Sequence, residues 1–262
     1  MREGIPFNNI YRQLCNELLI KGWWGNNTIE LRDKVFTVED ISTVFSTVRK
    51  PSISYALAEL IWYTVGARDV AYISQFGSMW KRLTDDGCTN NSAYGYVLQK
   101  QEGFNQIDKV VELLKADHES RRAVMNINKA NPYVIETHDE PCTIALQFLI
   151  REGKLHASGI MRSNDIYFGL PYDIIYFTTL QKIIADRLGV QYGAYTHHAI
   201  SLHAYLRDLD KIKRFAEDNE EPPKWWIDHV ALQAYAKELY EITNKENIID
   251  ECEKRGVLFY EG

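Results

Sequence analysis

The sequence holds little that could staple or anchor it. Only four cysteines occur in 262 residues, Cys15, Cys88, Cys142 and Cys252, and no two form a Cys-x-x-Cys pair. That scarcity argues against zinc and dithiol redox motifs, so no metal is expected, and reduced thiols in a cytoplasmic compartment fit better. No apolar run approaches the roughly eighteen residues of a membrane span. The opening residues, Met1-Arg2-Glu3-Gly4-Ile5-Pro6, carry no apolar secretion signal. Positive charge is not in excess either. The net charge of -6 argues against a nucleic-acid polymer as main partner, although a local basic pocket could still hold a small anion. No internal repeat and no low-complexity linker divides the chain, which is long enough to form a core without disulfides. One domain over residues 1–262 is the expectation.

What is present is a mixture of helical and strand patterns. Residues 53–65 read as a helix, with Ile53, Ala56, Leu57, Leu60, Ile61 and Thr64 at helical spacing and Gly66 as a stop. Residues 105–116 read as a second helix. Two strand-like runs, 143–151 and 155–162, flank Glu152-Gly153-Lys154 and predict a hairpin. Pro171 opens a long helix that Gly189 closes. A strand over 194–205 and helices over 206–217 and 229–243 complete the reading. Strands and helices are mixed without strict βαβ alternation, which predicts an α+β fold with a mixed sheet and surrounding helices.

The chemistry concentrates in residues 141–173. An isolated cysteine is most often a small buried hydrophobe. Cys142, however, opens one strand of the predicted hairpin and Arg162 closes its partner, so antiparallel pairing brings them together. A guanidinium beside a thiol favours the thiolate, the reactive form. Arg121-Arg122, alone more often a solvated face, and Arg162-Ser163 add guanidiniums and a hydroxyl suited to a phosphate monoester. No Cys-His-Asn or Cys-His-Asp arrangement supports a cysteine hydrolase.

Taken in order, Ala58-Glu59-Leu60-Ile61-Trp62, Trp80, Tyr94-Gly95, Ser120-Arg121-Arg122, Pro141-Cys142, Arg162-Ser163-Asn164-Asp165, Gly169-Leu170-Pro171-Tyr172 and His203-Ala204-Tyr205 resemble the thymidylate synthase superfamily over most of the chain. The resemblance implies a homodimeric, thymidylate synthase-like transferase acting on a pyrimidine nucleotide monophosphate, with 5,10-methylenetetrahydrofolate as cosubstrate. It further implies that Cys142 attacks C6 of the pyrimidine and that Arg162 and Ser163 hold the 5′-phosphate. Arg121 and Arg122 would come from the other subunit. His203 and Tyr205 would meet the 3′-hydroxyl, Glu59 would organise water and proton transfer, and Tyr94 would serve removal of the C5 proton. Trp80, Asp165, Phe168, Gly169 and Tyr172 would line the folate side.

Three departures from the synthase pattern matter. Asp173 stands where synthases have Asn. Uracil presents an N3–H donor and an O4 acceptor, which an amide answers. Cytosine presents an N4 donor and an N3 acceptor. A carboxylate accepts from N4 and can share one proton with N3. A bidentate base contact gives about 1–3 kcal/mol of discrimination. Asp173 therefore favours a cytosine nucleotide, and this position, Met161-Arg162-Ser163-Asn164-Asp165, Ser201-Leu202-His203 and Thr143 resemble the bacteriophage deoxycytidylate 5-hydroxymethylase branch. The bland alternative for Asp173 is a carboxylate complementing a helix N-terminus. Second, the expected Arg-Thr-Gly phosphate loop is absent; residues 21–28 offer Lys21 instead. Third, the last residues, Val257 to Gly262, lack the synthase's closing tail, which leans towards water rather than hydride addition. The expectation is 5-hydroxymethyl-dCMP formation, in a host cytoplasm if phage-encoded. Methylation of dUMP or dCMP, hydroxymethylation of CMP, and a non-catalytic nucleotide-binding relative are the alternatives.

Overall fold

The computed structural model describes residues 7–41, 49–129, 136–220 and 224–260. Residues 1–6 and 261–262, used above for the signal and tail expectations, lie outside them. Two long elements precede everything expected from the sequence. Helix α1 (Phe7–Lys21) buries Phe7, Ile10, Tyr11, Leu14, Cys15 and Leu18, a single apolar stripe. Strand β1 (Trp23–Trp24) leads into β2 (Thr28–Val38). Helix α2 (Ile53–Thr64) matches its expected span. It starts at Ser52, whose hydroxyl accepts from the Tyr55 amide, and it buries every residue from Ala56 to Tyr63. Short helices α3 (Val70–Ile73) and α4 (Tyr94–Gln99) follow. Helix α5 (Gln106–Ala116) is capped by Asn105, which accepts from the amides of Ile107 and Asp108.

The central hairpin forms as expected. After β3 (Val124–Asn126), β4 (Thr143–Arg151) pairs antiparallel with β5 (Lys154–Met161). Lys154 joins its strand opposite Arg151, which leaves Glu152-Gly153 as the turn. Both turn residues have positive φ, 52° and 72°, the twist a tight two-residue hairpin needs. A two-residue strand, β6 (Asn164–Asp165), precedes α6 (Leu170–Leu188), and β7 (Gln191–Tyr205) begins three residues before the expected strand. Helices α7 (Leu209–Glu217), α8 (His229–Ile242) and α9 (Ile248–Lys254) and the antiparallel pair β8 (Trp225–Ile227) and β9 (Leu258–Tyr260) complete the described chain.

The main sheet has the order β1-β2-β7-β5-β4-β3 and is mixed: β7 runs antiparallel to β2 and parallel to β5. Its inner face carries Leu146, Phe148, Ala157, Met161, Tyr195, His197 and Ala199, all buried, and α6 packs across β5 and β7. The outer face carries Val35, Ile160 and Ile200, all exposed. Among the described residues no helix is long and apolar enough to cross a membrane.

One irregularity positions the site. Strand β5 runs along β7 as far as Met161 opposite Ala199, and β6 resumes the same line with Asn164 opposite Leu202. Arg162 and Ser163 occupy the break. They lie beside Cys142, the residue preceding β4.

Candidate active site

Backbone pairing places Cys142 and Arg162 together as the hairpin predicts: the Arg162 amide donates to the Cys142 carbonyl at 2.9 Å. The exposed Arg162 guanidinium is anchored on the carbonyls of Pro141 (3.1 Å) and Glu140 (2.7 Å). Cys142 is partly buried, and its thiol is pushed up to about 11 by burial, against the opposing pull of Arg162. The expectation that Arg162 makes Cys142 a resting thiolate is therefore not met. Desolvation and the carboxylates Asp173, Asp139 and Asp165 outweigh one guanidinium, so the thiol keeps its proton until a substrate changes its surroundings.

The break also faces Ser163 towards β7. Its hydroxyl lies 3.5 Å from Nδ1 of His203, and the rings of His203 and Tyr205 meet edge to face at 5.4 Å. Residues 21–28 border the same end of β7, since Thr28 pairs with Tyr205 and Glu30 with His203. Lys21 itself is largely exposed, 3.8 Å from Glu17. Arg207 lies over the Tyr205 ring at 4.5 Å, a cation that sequence reasoning missed.

The opposite wall is aromatic. Asp165 accepts from the amides of Tyr167 (2.8 Å) and Phe168 (3.1 Å), which sets the turn that exposes the Phe168 ring. The Asp165 amide carbonyl in turn holds Gly169, the residue before α6. The buried Tyr172 hydroxyl accepts from the Ser52 amide (2.9 Å) and Arg49 (3.2 Å), tying α6 to the start of α2. Arg49 also lies over the rings of Tyr167 and Tyr172, at 4.8 and 5.0 Å.

Behind that wall is a buried polar chain. Trp80 donates its indole N–H to the Tyr55 hydroxyl (3.0 Å), and Tyr55 donates to Glu59 (2.8 Å). Burial pushes the Glu59 carboxyl up to about 7, and the Tyr55 hydrogen bond only partly offsets it. Tyr55 was legible in principle, four residues before Glu59 on one helix face. Tyr94 stacks on Tyr63 at 5.5 Å. Gly95 permits that closeness: a Cβ there would fall 2.0 Å from the Tyr63 carbonyl oxygen. Burial raises the Tyr94 hydroxyl well above its ordinary range, with Asp173 and Cys142 next among the causes, so it remains protonated beside both.

Asp173 closes the ring of residues. It sits in the first turn of α6 and accepts from Asn164 Nδ2 at 2.7 Å. A carboxylate that only complemented a helix terminus would be held ionised. Asp173 is instead raised well above the usual carboxylate range by burial and by Glu59. Arg121 and Arg122 are not brought to this site. They are exposed, and Ala123, the next residue, bonds Phe148 on β4. Six residue steps along the strand lead from Phe148 to Cys142, roughly 20 Å at about 3.3 Å per residue.

Glu59 yields a stability prediction. Its folded value of about 7 exceeds the unfolded 4.5, so the folded state holds the proton longer. Below the unfolded value both states are protonated and no penalty exists. Stability falls as pH rises from there through 7, by about 3 kcal/mol in total. Glu59→Gln should therefore gain most of that amount at pH 8 and little at pH 4, measured by urea unfolding. Equal effects at both pH values would count against the buried, late-ionising carboxyl.

The thymidylate synthase family profile matches residues 9–250. Thymidylate synthase 1 of Bacillus spizizenii is 26% identical over 242 residues, covering 84% of this chain and 86% of that protein. A deoxyuridylate hydroxymethyltransferase of Bacillus phage SP01 is 32% identical over 185 residues, 63% of this chain and 47% of that protein. The solved thermostable thymidylate synthase A from Bacillus subtilis superposes with a TM-score of 0.70 at 24% identity, covering 86% of this chain and 89% of that one. The chain belongs to the thymidylate synthase family. Its activity is accordingly that of a folate-dependent one-carbon transferase acting on pyrimidine nucleotides.

Proposed function

We propose that this protein is a deoxycytidylate 5-hydroxymethyltransferase, converting dCMP, 5,10-methylenetetrahydrofolate and water to 5-hydroxymethyl-dCMP and tetrahydrofolate. The observation that carries the reading is Asp173: a late-ionising carboxyl at the α6 N-terminus, with one oxygen held by Asn164, in the place of the synthase amide. Such a group can accept from the cytosine N4 amino group and give a proton to N3 as charge develops on the base.

The remaining residues take their roles around that contact. The Cys142 sulfur adds to C6 while the thiol passes its proton to water and Asp173 gives one to N3; at the end the C6–S bond breaks, N3 returns its proton to Asp173 and the thiolate regains one from water. Arg162 and Ser163 hold the 5′-phosphate. His203 and Tyr205 meet the 3′-hydroxyl. Tyr94 stays protonated and relays the C5 proton through hydrogen bonds. Glu59, tuned near neutral pH and oriented by Tyr55 and Trp80, positions the water that adds to the one-carbon unit. The folate cosubstrate supplies that unit at the oxidation level of formaldehyde.

The residues present fit the folate. The exposed Phe168 ring offers a flat surface, with Tyr172, Gly169 and Asp165 beside it, and Trp80 backs the wall through Tyr55. Arg49, which donates to the Tyr172 hydroxyl and lies over the Tyr167 and Tyr172 rings, places a cation beside that wall. The exposed Val35, Ile160 and Ile200 on the outer sheet face support a homodimer in which Arg121 and Arg122 reach the partner's site.

Product mass spectrometry with dCMP, CMP and dUMP tests this. A gain of CH2O on dCMP, with no dihydrofolate absorbance, is expected. A gain of CH2 with dihydrofolate formed would replace the reading by methylation. The SP01 relative's name supports a second reading, hydroxymethylation of dUMP. Faster CH2O gain on dUMP than on dCMP would select it.

A further inference from the structure

Asp173 is the near end of a buried chain that the reaction scheme does not use. Asn164 Nδ2 donates to Asp173 Oδ2 (2.7 Å). Asn164 Oδ1 meets His197 Nε2 (3.0 Å), and His197 Nδ1 meets the Tyr195 hydroxyl (3.0 Å). Asn164, His197 and Tyr195 are 2%, 0% and 0% exposed, so water does not substitute for any link. Burial, helped by His198, pushes His197 down to about 3, so the ring is neutral and carries a single N–H. With that N–H on Nε2, every link has one direction: Tyr195 donates to His197, His197 to Asn164, and Asn164 to Asp173. The far end has been given room. A Cβ on Gly159 would lie 2.3 Å from the Tyr195 hydroxyl oxygen, so glycine on β5 admits the group that starts the chain. Among the described residues no hydrogen bond engages Asp173 Oδ1.

We propose that Asn164, braced by His197 and Tyr195, is a specificity-positioning residue: it keeps Asp173 Oδ2 an acceptor and confines the transferable proton to Oδ1. The proposal rests on the reading that Asp173 meets the pyrimidine edge. A free carboxylic acid carries its proton on either oxygen and so serves cytosine or uracil equally. Uracil requires the reverse polarity, an acceptor at N3 and a donor at O4. To supply it, the proton would have to sit on Oδ2, against the Asn164 N–H. Asn164 would then have to turn, and His197 would have to move its N–H to Nδ1. The three-residue chain thus converts an ambivalent acid into one with a fixed sense. It acts at one atom of Asp173 and touches no substrate itself.

The test is the ratio of kcat/KM for dCMP to that for dUMP, read as tritium release from the 5-labelled nucleotides with methylenetetrahydrofolate. The full-length enzyme, Asn164→Ala and Tyr195→Phe are compared. Asn164→Ala frees both carboxyl oxygens and should bring the ratio about tenfold closer to one, within the span of a single bidentate base contact. Tyr195→Phe keeps the ring and the fold but frees the His197 tautomer, and should move the ratio the same way by about threefold, part of that same contact's discrimination. A merely structural role would lower both activities together and leave the ratio unchanged. If the wild type prefers dCMP and both variants keep its ratio within error, the chain does not set specificity, and the cytosine reading stands without it. If the wild type prefers dUMP, the cytosine reading falls. The cytosine sense assigned to the chain falls with it, whatever the variants do.

Discussion

Cys142→Ala should abolish turnover while leaving nucleotide binding in place. Loss of a covalent nucleophile removes a whole step rather than one contact, and its cost is on the order of 10⁴-fold or more in kcat. Tritium release from the C5 position of dCMP should fall to background, while equilibrium dialysis should still register dCMP. The residues proposed to hold phosphate, sugar and base (Arg162, Ser163, His203, Tyr205 and Asp173) lie on other elements and do not depend on the thiol. Residual release within tenfold of wild type would remove Cys142 from the mechanism. If neither the wild type nor the variant releases tritium and both bind, the protein is a nucleotide binder. The same variant tests the subunit arrangement. Arg121→Ala/Arg122→Ala protomers mixed with Cys142→Ala protomers should recover activity, because one site in each mixed dimer has an intact thiol and intact partner arginines. No recovery would place those arginines in their own subunit's site or outside the chemistry.

Asp173→Asn should move base preference from dCMP towards dUMP by roughly tenfold to a hundredfold, the range that one bidentate base contact discriminates. An amide cannot ionise, so it cannot pass a proton to N3, and dCMP turnover should fall mainly in kcat. An amide can meet uracil, but only with its NH2 towards O4. Asn164 donates to the oxygen at that corner of Asp173, so it opposes such an amide unless it turns as well. The gain towards dUMP should therefore be larger in Asp173→Asn/Asn164→Ala than in Asp173→Asn alone, a non-additivity expected of residues in one hydrogen-bonded chain. An unchanged dCMP to dUMP ratio in Asp173→Asn would reject Asp173 as the base reader.

The sequence made much of this legible because the relevant signals are local. The turn Glu152-Gly153, the helix start at Pro171 and the helix from Ile53 that Gly66 stops are written in a few nearby residues each. Cys142 and Arg162 could be paired from the hairpin alone, since antiparallel register fixes which ends meet. Two long elements, α1 and β2, carry patterns as regular as those of α2 and β4 but hold no chemistry-bearing motif. The site residues that escaped notice share a different property. Tyr195 and His197 alternate on β7 like any core strand residues, and Asn164 stands inside a motif between two residues of evident chemistry. Nothing in their spacing says that a break in β5 delivers Asn164 to His197 on one side and Asp173 on the other.

The sequence by itself determined the family and put a thiol at position 142 and a carboxyl at position 173, because residue identity decides which atoms can attack, donate or accept. Only the tertiary structure decided the states of those atoms. Burial keeps Cys142 a thiol despite Arg162, brings Glu59 to about 7, and leaves Asp173 late to ionise. Desolvation depends on everything packed around a group, from elements far apart in the chain, and no local pattern of residues records it. The same holds for the hydrogen-bonded chain from Tyr195 to Asp173, which exists only once four side chains from β6, α6 and β7 share one buried space.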